Sequence, residues 1–241
     1  MTRTAVVTGG GTGIGKATAA ALAADGLDVV ITGRRRDVLD RAVDELGDGV
    51  RAVPFDATVP AEIEAALSEL PQRVEVLVNN AGGNTDFGRP EHPGLDGLRA
   101  AWLANLEANL VSAVLLTTAL TPRLADGGRV VTLGSIAAAK GAAGYGAAKA
   151  GVLAWNAELA FQLGGRGITA NVVAPGLVEE TEFFGEGLAE QRRTALVAQT
   201  ATGRAGQVED VAATIAFLAS SAAGHITGQV VHVNGGAHLG T

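Results

Sequence analysis

Seven short apolar runs punctuate the chain: TAVVTG (4–9), DVVITG (28–33), VRAVPFD (50–56), VEVLVNN (74–80), RVVTLGS (129–135), ITANVVAP (168–175) and QVVHVN (229–234). Several are near-continuous rather than alternating, which is the pattern of strands covered on both faces. Between them lie longer stretches with helical periodicity, over 14–24, 37–46, 60–70, 97–124, 145–163 and 208–220. Strand, helix, strand, repeated with short connections, predicts an α/β Rossmann-type fold. The expected architecture is a doubly wound, seven-stranded parallel sheet with helices on both faces. No break in composition, internal repeat or low-complexity tail divides the chain, so one domain over 1–241 is expected. Two stretches are long for loops, 81–96 and 176–206. Both leave the carboxyl ends of strands, where open α/β sheets bind ligands. Both are therefore expected to wall a substrate site.

Composition narrows the possibilities. A hydrophobic fraction of 47% supports a sizeable core, while 34 glycines and few aromatics leave room for close backbone approach and for a ligand. A net charge of −7 repels phosphate backbones and argues against a nucleic-acid partner. With no cysteine there is no disulfide, no thiolate nucleophile and no Cys-ligated metal, and no metal site is predicted. The first residues enter a strand at once, with no apolar signal core, and no run reaches the roughly 18 apolar residues of a membrane span. A soluble, cytoplasmic protein is the expectation.

The first strand runs into TGGGTGIGKA and then a helix. Gly9, Gly13 and Gly15 give T-G-x-x-x-G-x-G, not G-x-G-x-x-G. The physics is shared: glycines permit a tight turn, and a helix N-terminus offers unpaired N–H groups to a pyrophosphate. An NAD site usually places an acid at the end of the second strand, for the ribose 2′-hydroxyl. Here VVITGRRRDVL carries Gly33 and three arginines, with no acid at 32–34. Guanidinium suits phosphate by charge and by its planar fork. NADP(H) is predicted, with Arg34 and Arg35 near the 2′-phosphate.

The chain's one tyrosine lies in YGAAKAG (145–151), four residues before Lys149. On a helix the two share a face, with Cβ atoms about 5–6 Å apart. At an effective dielectric near 20, a unit charge at that range contributes about 3 kcal/mol, or roughly two pKa units. A phenol tuned down from pKa ~10 could give a proton to a carbonyl oxygen. Y-x-x-x-K alone is common. Its company here is less so: Ser135 ends the strand before it, and Asn109 interrupts an apolar helical stretch. NNAG (79–82), NVVAPG (171–176) and ITGQVVHVNGG (226–236) complete the set.

With these motifs in this order, the chain resembles the short-chain dehydrogenase/reductase family from Thr8 to Gly236. Within the family it is most similar to the 3-oxoacyl-(acyl-carrier-protein) reductases. The resemblance implies Tyr145 as acid/base, Lys149 on the nicotinamide ribose and lowering the Tyr pKa, Ser135 on the substrate carbonyl, and Asn109 holding a water behind Lys149. It implies cofactor contacts from Gly9, Thr12, Gly13, Ile14 and Gly15, and from Asp56 and Ala57 at the adenine. Asn80, Ala81 and Gly82 would flank the adenine ribose, and Pro175, Gly176 and Val178 the nicotinamide pocket. Thr181 would hold the carboxamide, although it lies one residue further from Gly176 than is usual.

The implied reaction is reduction of a small-molecule carbonyl, possibly a thioester, by NADPH. Oxidation of a secondary alcohol and a non-catalytic nucleotide sensor are the alternatives, and the joint presence of Ser, Tyr, Lys and Asn argues against the sensor. Docking an acidic carrier protein needs exposed cations beside the active-site mouth. Arg166 matches one such position, with Arg123 near it, but Asp126 and the net charge weaken that reading. The stretch over about 177–206 resembles the family's substrate lid: Glu179, Glu180, Glu182, Glu186 and Glu190 are expected to face water, and Phe183 and Phe184 to close over an apolar part of the substrate. The connection IAAAKGAAG between Ser135 and Tyr145 is shorter than is usual for the family. A homodimer or homotetramer, joined through 97–124 and 145–163, is expected.

Overall fold

The seven expected strands form and join one all-parallel sheet in the order β3-β2-β1-β4-β5-β6-β7. The computed structural model describes residues 2–87, 94–184 and 188–240. The strands are β1 (Thr4–Thr8), β2 (Asp28–Gly33), β3 (Val50–Pro54), β4 (Val74–Asn79), β5 (Leu124–Leu133), β6 (Thr169–Pro175) and β7 (Val230–Val233). The helices are α1 (Gly13–Ala24), α2 (Arg36–Leu46), α3 (Pro60–Ala66), α4 (Gly94–Leu106), α5 (Ser112–Leu120), α6 (Ala137–Lys140), α7 (Ala143–Gly164), α8 (Glu190–Val197) and α9 (Val208–Ala219).

The apolar runs are continuous because adjacent strand residues serve two cores. Successive side chains point to opposite faces of a sheet. Val7, Ile31, Val78 and Val173 pack on one face with Leu22 of α1 and Ile215 of α9. Val6, Val30, Leu77 and Val130 pack on the other with Ile63 of α3, Leu116 of α5 and Leu159 of α7. The central strands, covered on both sides, need no polar face, whereas the edge strands β3 and β7 are only partly buried. Strand order reverses between β1 and β4, which opens a crevice at their carboxyl ends.

Three boundaries differ from the sequence reading by three residues or more. β5 begins at Leu124 rather than 129, so the glycine-containing stretch LADGG is strand. Its pairing with β4 slips between Val74 and Val76. The buried Arg129 guanidinium donates to the carbonyl oxygens of Gly127, Gly128 and Ser220, which holds the irregular stretch together. The helical run expected at 97–124 extends from Gly94 to Arg123, but Glu107–Val111 is wound as a π-turn and 121–123 as a 3₁₀ turn. Helix α3 stops at Ala66 instead of 70.

The run Gly94–Arg123 also departs from the membrane expectation: by length and composition it could cross a bilayer, with a mean hydropathy of 1.4. Its buried Asn105 and Asn109 are, however, spent on tertiary hydrogen bonds to the loop after β4.

Candidate active site

A cleft of about 550 Å³ runs across the carboxyl ends of the strands, from Arg34 and Arg35 at one end to Ser135, Tyr145 and Lys149 at the other. Gly9, Thr12, Gly13, Ile14, Asp56, Ala57, Asn80, Ala81, Gly82, Pro175, Gly176, Val178 and Thr181 line it between these ends. Of the site residues expected from sequence, only Gly15 and Asn109 do not reach its wall.

The turn from β1 into α1 is closely packed at its glycines. Gly9 has φ +63°, a left-handed conformation that favours glycine. A Cβ on Gly15 would collide with the Gly9 carbonyl oxygen, so Gly15 shapes the loop from beneath. The loop is tied to β4 by two residues. Thr8 Oγ accepts from the N–H groups of Asn80 and Ala81, each at 2.9 Å. Asn80 Nδ2 donates back to the carbonyls of Thr8 at 2.9 Å and Gly9 at 3.1 Å. The Asn80 side chain thus positions the loop. A pyrophosphate suits this cradle, since the open N-terminal turn of α1 faces it.

At the far end, Arg35 precedes α2 and points across the cleft mouth. Its partner is a surprise. Glu182, expected to face water, pairs with Arg35 at 2.6 Å and comes within 3.5 Å of Thr12 Oγ. That hydrogen bond raises the Arg35 pKa. Asp56 Oδ1 accepts from the N–H and hydroxyl of Thr58 at 2.8 and 2.7 Å, which fixes its carboxylate on the cleft wall.

At the chemical end, Ser135 follows β5 and Tyr145 lies in the first turn of α7. The short connection between them closes by way of α6 and a tight turn in which Ala143 takes φ +46°. The Ser135 hydroxyl accepts from the Ala137 N–H at 3.1 Å and faces the Tyr145 phenol closely enough to lower its pKa. Lys149 is buried and donates from Nζ to the Leu133 carbonyl at 2.7 Å, which pins α7 to the end of β5. Its Nζ lies 5.8 Å from the centre of the Tyr145 ring.

The electrostatics reverse the sequence argument. Burial pushes the Tyr145 phenol up to about 12, against a smaller opposing effect of the Ser135 hydrogen bond. Burial likewise pulls Lys149 down to about 8. The expectation of an acidic phenol neglected the cost of desolvating a phenolate. With the protein's own groups alone, this tyrosine keeps its proton.

Asn109 lies in the π-turn, and its amide grips the loop after β4. Its Nδ2 donates to the Gly83 carbonyl at 2.8 Å, and its Oδ1 accepts from the Gly83 N–H at 3.0 Å. Asn105, one turn earlier, accepts from Thr85 N–H at 3.1 Å. Both polar ends of the Asn109 side chain are thus committed to backbone. Asn105 was missed in the sequence, although a polar residue four before Asn109 on the same helical run was the available signal.

In the lid, Phe183 sits 5.5 Å from the Tyr145 ring and 5.6 Å from Phe87, ring centre to ring centre. Thr181 lies over Gly13. Glu179 pairs with Arg193 of α8 at 2.6 Å while its side chain remains 38% exposed. The Phe184 side chain and Glu186 fall outside the described residues. Arg166 is at the amino end of the strands, opposite the cleft, where it pairs with Asp126 at 2.8 Å and donates to the Leu124 carbonyl.

Comparison with known proteins agrees with this architecture. The family model described as Enoyl-(Acyl carrier protein) reductase matches residues 9–238. The 3-oxoacyl-(acyl-carrier-protein) reductase FabG of Vibrio cholerae is 36% identical over 245 residues, covering 98% of both chains. That of Escherichia coli is 36% identical, covering 98% of this chain and 97% of its own. Among solved structures, a short-chain dehydrogenase/reductase (glucose/ribitol dehydrogenase) from Brucella melitensis superposes with a TM-score of 0.88 at 31% identity, over 99% of this chain and 97% of that one. A putative gluconate dehydrogenase from Agrobacterium tumefaciens gives 0.85 at 30%, over 98% and 95%.

Proposed function

The chain is an oxidoreductase of the short-chain dehydrogenase/reductase family, and on that premise we propose that it uses NADPH to reduce a ketone or 3-oxoacyl thioester to the alcohol. One observation carries the reading. Ser135, Tyr145 and Lys149 converge at one end of a cleft whose other end is walled by Arg34 and Arg35. The span joins a phosphate-binding end to a proton-donating end.

When bound, NADPH supplies the hydride to the carbonyl carbon. The chain's residues handle the oxygen. The Ser135 hydroxyl donates to it and orients the carbonyl. Tyr145 Oη delivers the proton, so hydride and proton together convert C=O to CH–OH. The phenolate left behind is stabilised by the Lys149 ammonium and recovers its proton from solvent. A phenol pushed up to about 12 carries its proton at neutral pH, as the donor role in reduction requires.

The relatives' names span oxoacyl, gluconate and glucose/ribitol substrates, which share hydride chemistry and little else. The residues here support a free small carbonyl compound or a short thioester. Arg166, the cation that would greet an acidic carrier, is engaged with Asp126 on the opposite side of the sheet, and aromatic Phe183 stands against Tyr145. The same reading makes the enzyme a cytoplasmic, single-domain homodimer or homotetramer.

The test is NADPH oxidation by the purified protein with acetoacetyl thioester and a panel of small ketones and quinones, repeated with NADH. Turnover with NADPH that Tyr145→Phe lowers by at least about 10²-fold is expected. Better turnover with NADH would sink the cofactor assignment. NADPH binding with no carbonyl reduced would favour a nucleotide sensor.

A further inference from the structure

The acid that NAD sites place at the end of the second strand is missing here, yet a carboxylate reaches the same neighbourhood from elsewhere in the chain. Glu182 is 147 residues from Arg35 in sequence. Its Oε2 accepts from Arg35 Nη2 at 2.6 Å and lies 3.5 Å from Thr12 Oγ, while Oε1 lies 3.4 Å from Nη1. The carboxylate is thus held between the glycine loop and the arginine that follows β2. On the NADP(H) reading, those are the groups that flank the adenosine 2′ position. We propose that Glu182 is a cofactor-selectivity residue, whose carboxylate competes with the 2′-phosphate of NADPH for Arg35.

The structure on either side of Glu182 supports a built position. Val178 bridges to Gly206, and Glu179 is clasped by Arg193. Between these clasps and Glu182, Glu180 takes φ +58°, a left-handed conformation costly for a residue with a side chain. Such strain persists where neighbouring contacts impose it. The turn therefore delivers Glu182 to Arg35 and does not leave it to wander.

The magnitudes favour exchange. Arg35 and Glu182 side chains are each 57% exposed, and exposed ion pairs of this kind are weak. A phosphate dianion offers Arg35 twice the charge and a matching bidentate edge. NADPH can therefore displace Glu182, whereas NADH, with a neutral 2′-hydroxyl, has nothing to exchange. The carboxylate costs NADPH some affinity and costs NADH none.

This inference rests on the NADP(H) reading, so the test reads binding and not turnover. Dissociation constants for NADPH and NADH are measured by calorimetry on the purified protein, on Glu182→Gln and on Glu180→Gln. The last removes the same charge from the same turn without touching Arg35 or the Glu179–Arg193 pair. The expected result is NADPH binding tightened about 2- to 5-fold in Glu182→Gln, no tightening for NADH, and no change for NADPH in Glu180→Gln. Equal tightening of both dinucleotides, unchanged NADPH binding, or the same gain in Glu180→Gln would overturn the assignment. Wild-type protein that binds NADH but not NADPH would remove the NADP(H) reading, and this inference with it.

Discussion

Lys149 gathers most of the site's energetics in one side chain. It is buried, holds the Leu133 carbonyl and stands behind Tyr145. Its pKa falls from 10.5 unfolded to about 8 folded. Between those values the unfolded chain binds more protons, so stability rises with pH as the buried ammonium is relieved of its charge. Tyr145 works in the opposite sense, because its folded pKa lies above the unfolded 10.0. Stability falls once pH passes 10. In urea titrations from pH 7 to 10, wild-type stability should rise relative to Lys149→Met, by on the order of 2 kcal/mol. A constant difference between the two proteins would show that Lys149 titrates normally in the fold. The same group sets a kinetic expectation: reduction should lose kcat/KM above about pH 8, as Lys149 loses the charge that stabilises the phenolate.

Elements are brought to this geometry by small residues, as the turn from α6 into α7 illustrates. A Cβ on Gly146 would stand 2.9 Å from the Ala137 carbonyl oxygen and 3.1 Å from the Gly141 carbonyl carbon, both backbone. Backbone cannot step aside as a side chain can, so Gly146→Ala must push α7 away from α6. Overpacking of this kind costs about 1–3 kcal/mol. Thermal unfolding should show a loss of about 3–10 °C. Activity should fall by 10-fold or more, roughly, because Tyr145 is displaced from Ser135. Gly164, the last residue of the same helix, has open space around its Cβ position. Gly164→Ala should be neutral, or stabilising by up to about 1 kcal/mol. If both substitutions behave alike, close packing at α6 is not what constrains Gly146. The π-turn is a second such device. It carries the Asn109 amide whose two hydrogen bonds hold Gly83 at the cleft wall.

For the molecule as a whole, the apolar surface left uncovered is the main unresolved demand. Leu95 is 83% exposed and Phe161 87%, and Leu98, Trp102 and Val111 add to the same two helical runs. Large exposed apolar patches on soluble chains mark interaction surfaces. Sedimentation should give a dimer or tetramer for the wild type, and the double substitution Leu98→Glu with Phe161→Glu should lower the assembly state. An unchanged assembly would move the interface elsewhere.

Much of this molecule was legible in its sequence, and the rest was not for identifiable reasons. The strands were readable because continuous Val-rich runs have few other uses, and the glycine loop because only glycine fits beside the Gly9 carbonyl. Tyr145, Lys149 and Ser135 were readable as residue types at fixed spacing near a strand end. β5 starts earlier than its glycine-containing stretch suggested, and its Arg129 side chain ties the carbonyls of Gly127 and Gly128 to that of Ser220, 91 residues away. The phenol's pKa could not be read at all. Spacing placed a lysine near it, but only the packed fold decided that burial dominates both groups, raising the phenol and lowering the ammonium. Local sequence determined which residues exist and which face they take, since helix and strand periods are local. Tertiary structure alone decided that Glu182 meets Arg35 and that Asn109 holds Gly83. Desolvation and pairing across 147 or 26 residues depend on the whole chain's packing, and no local pattern encodes them.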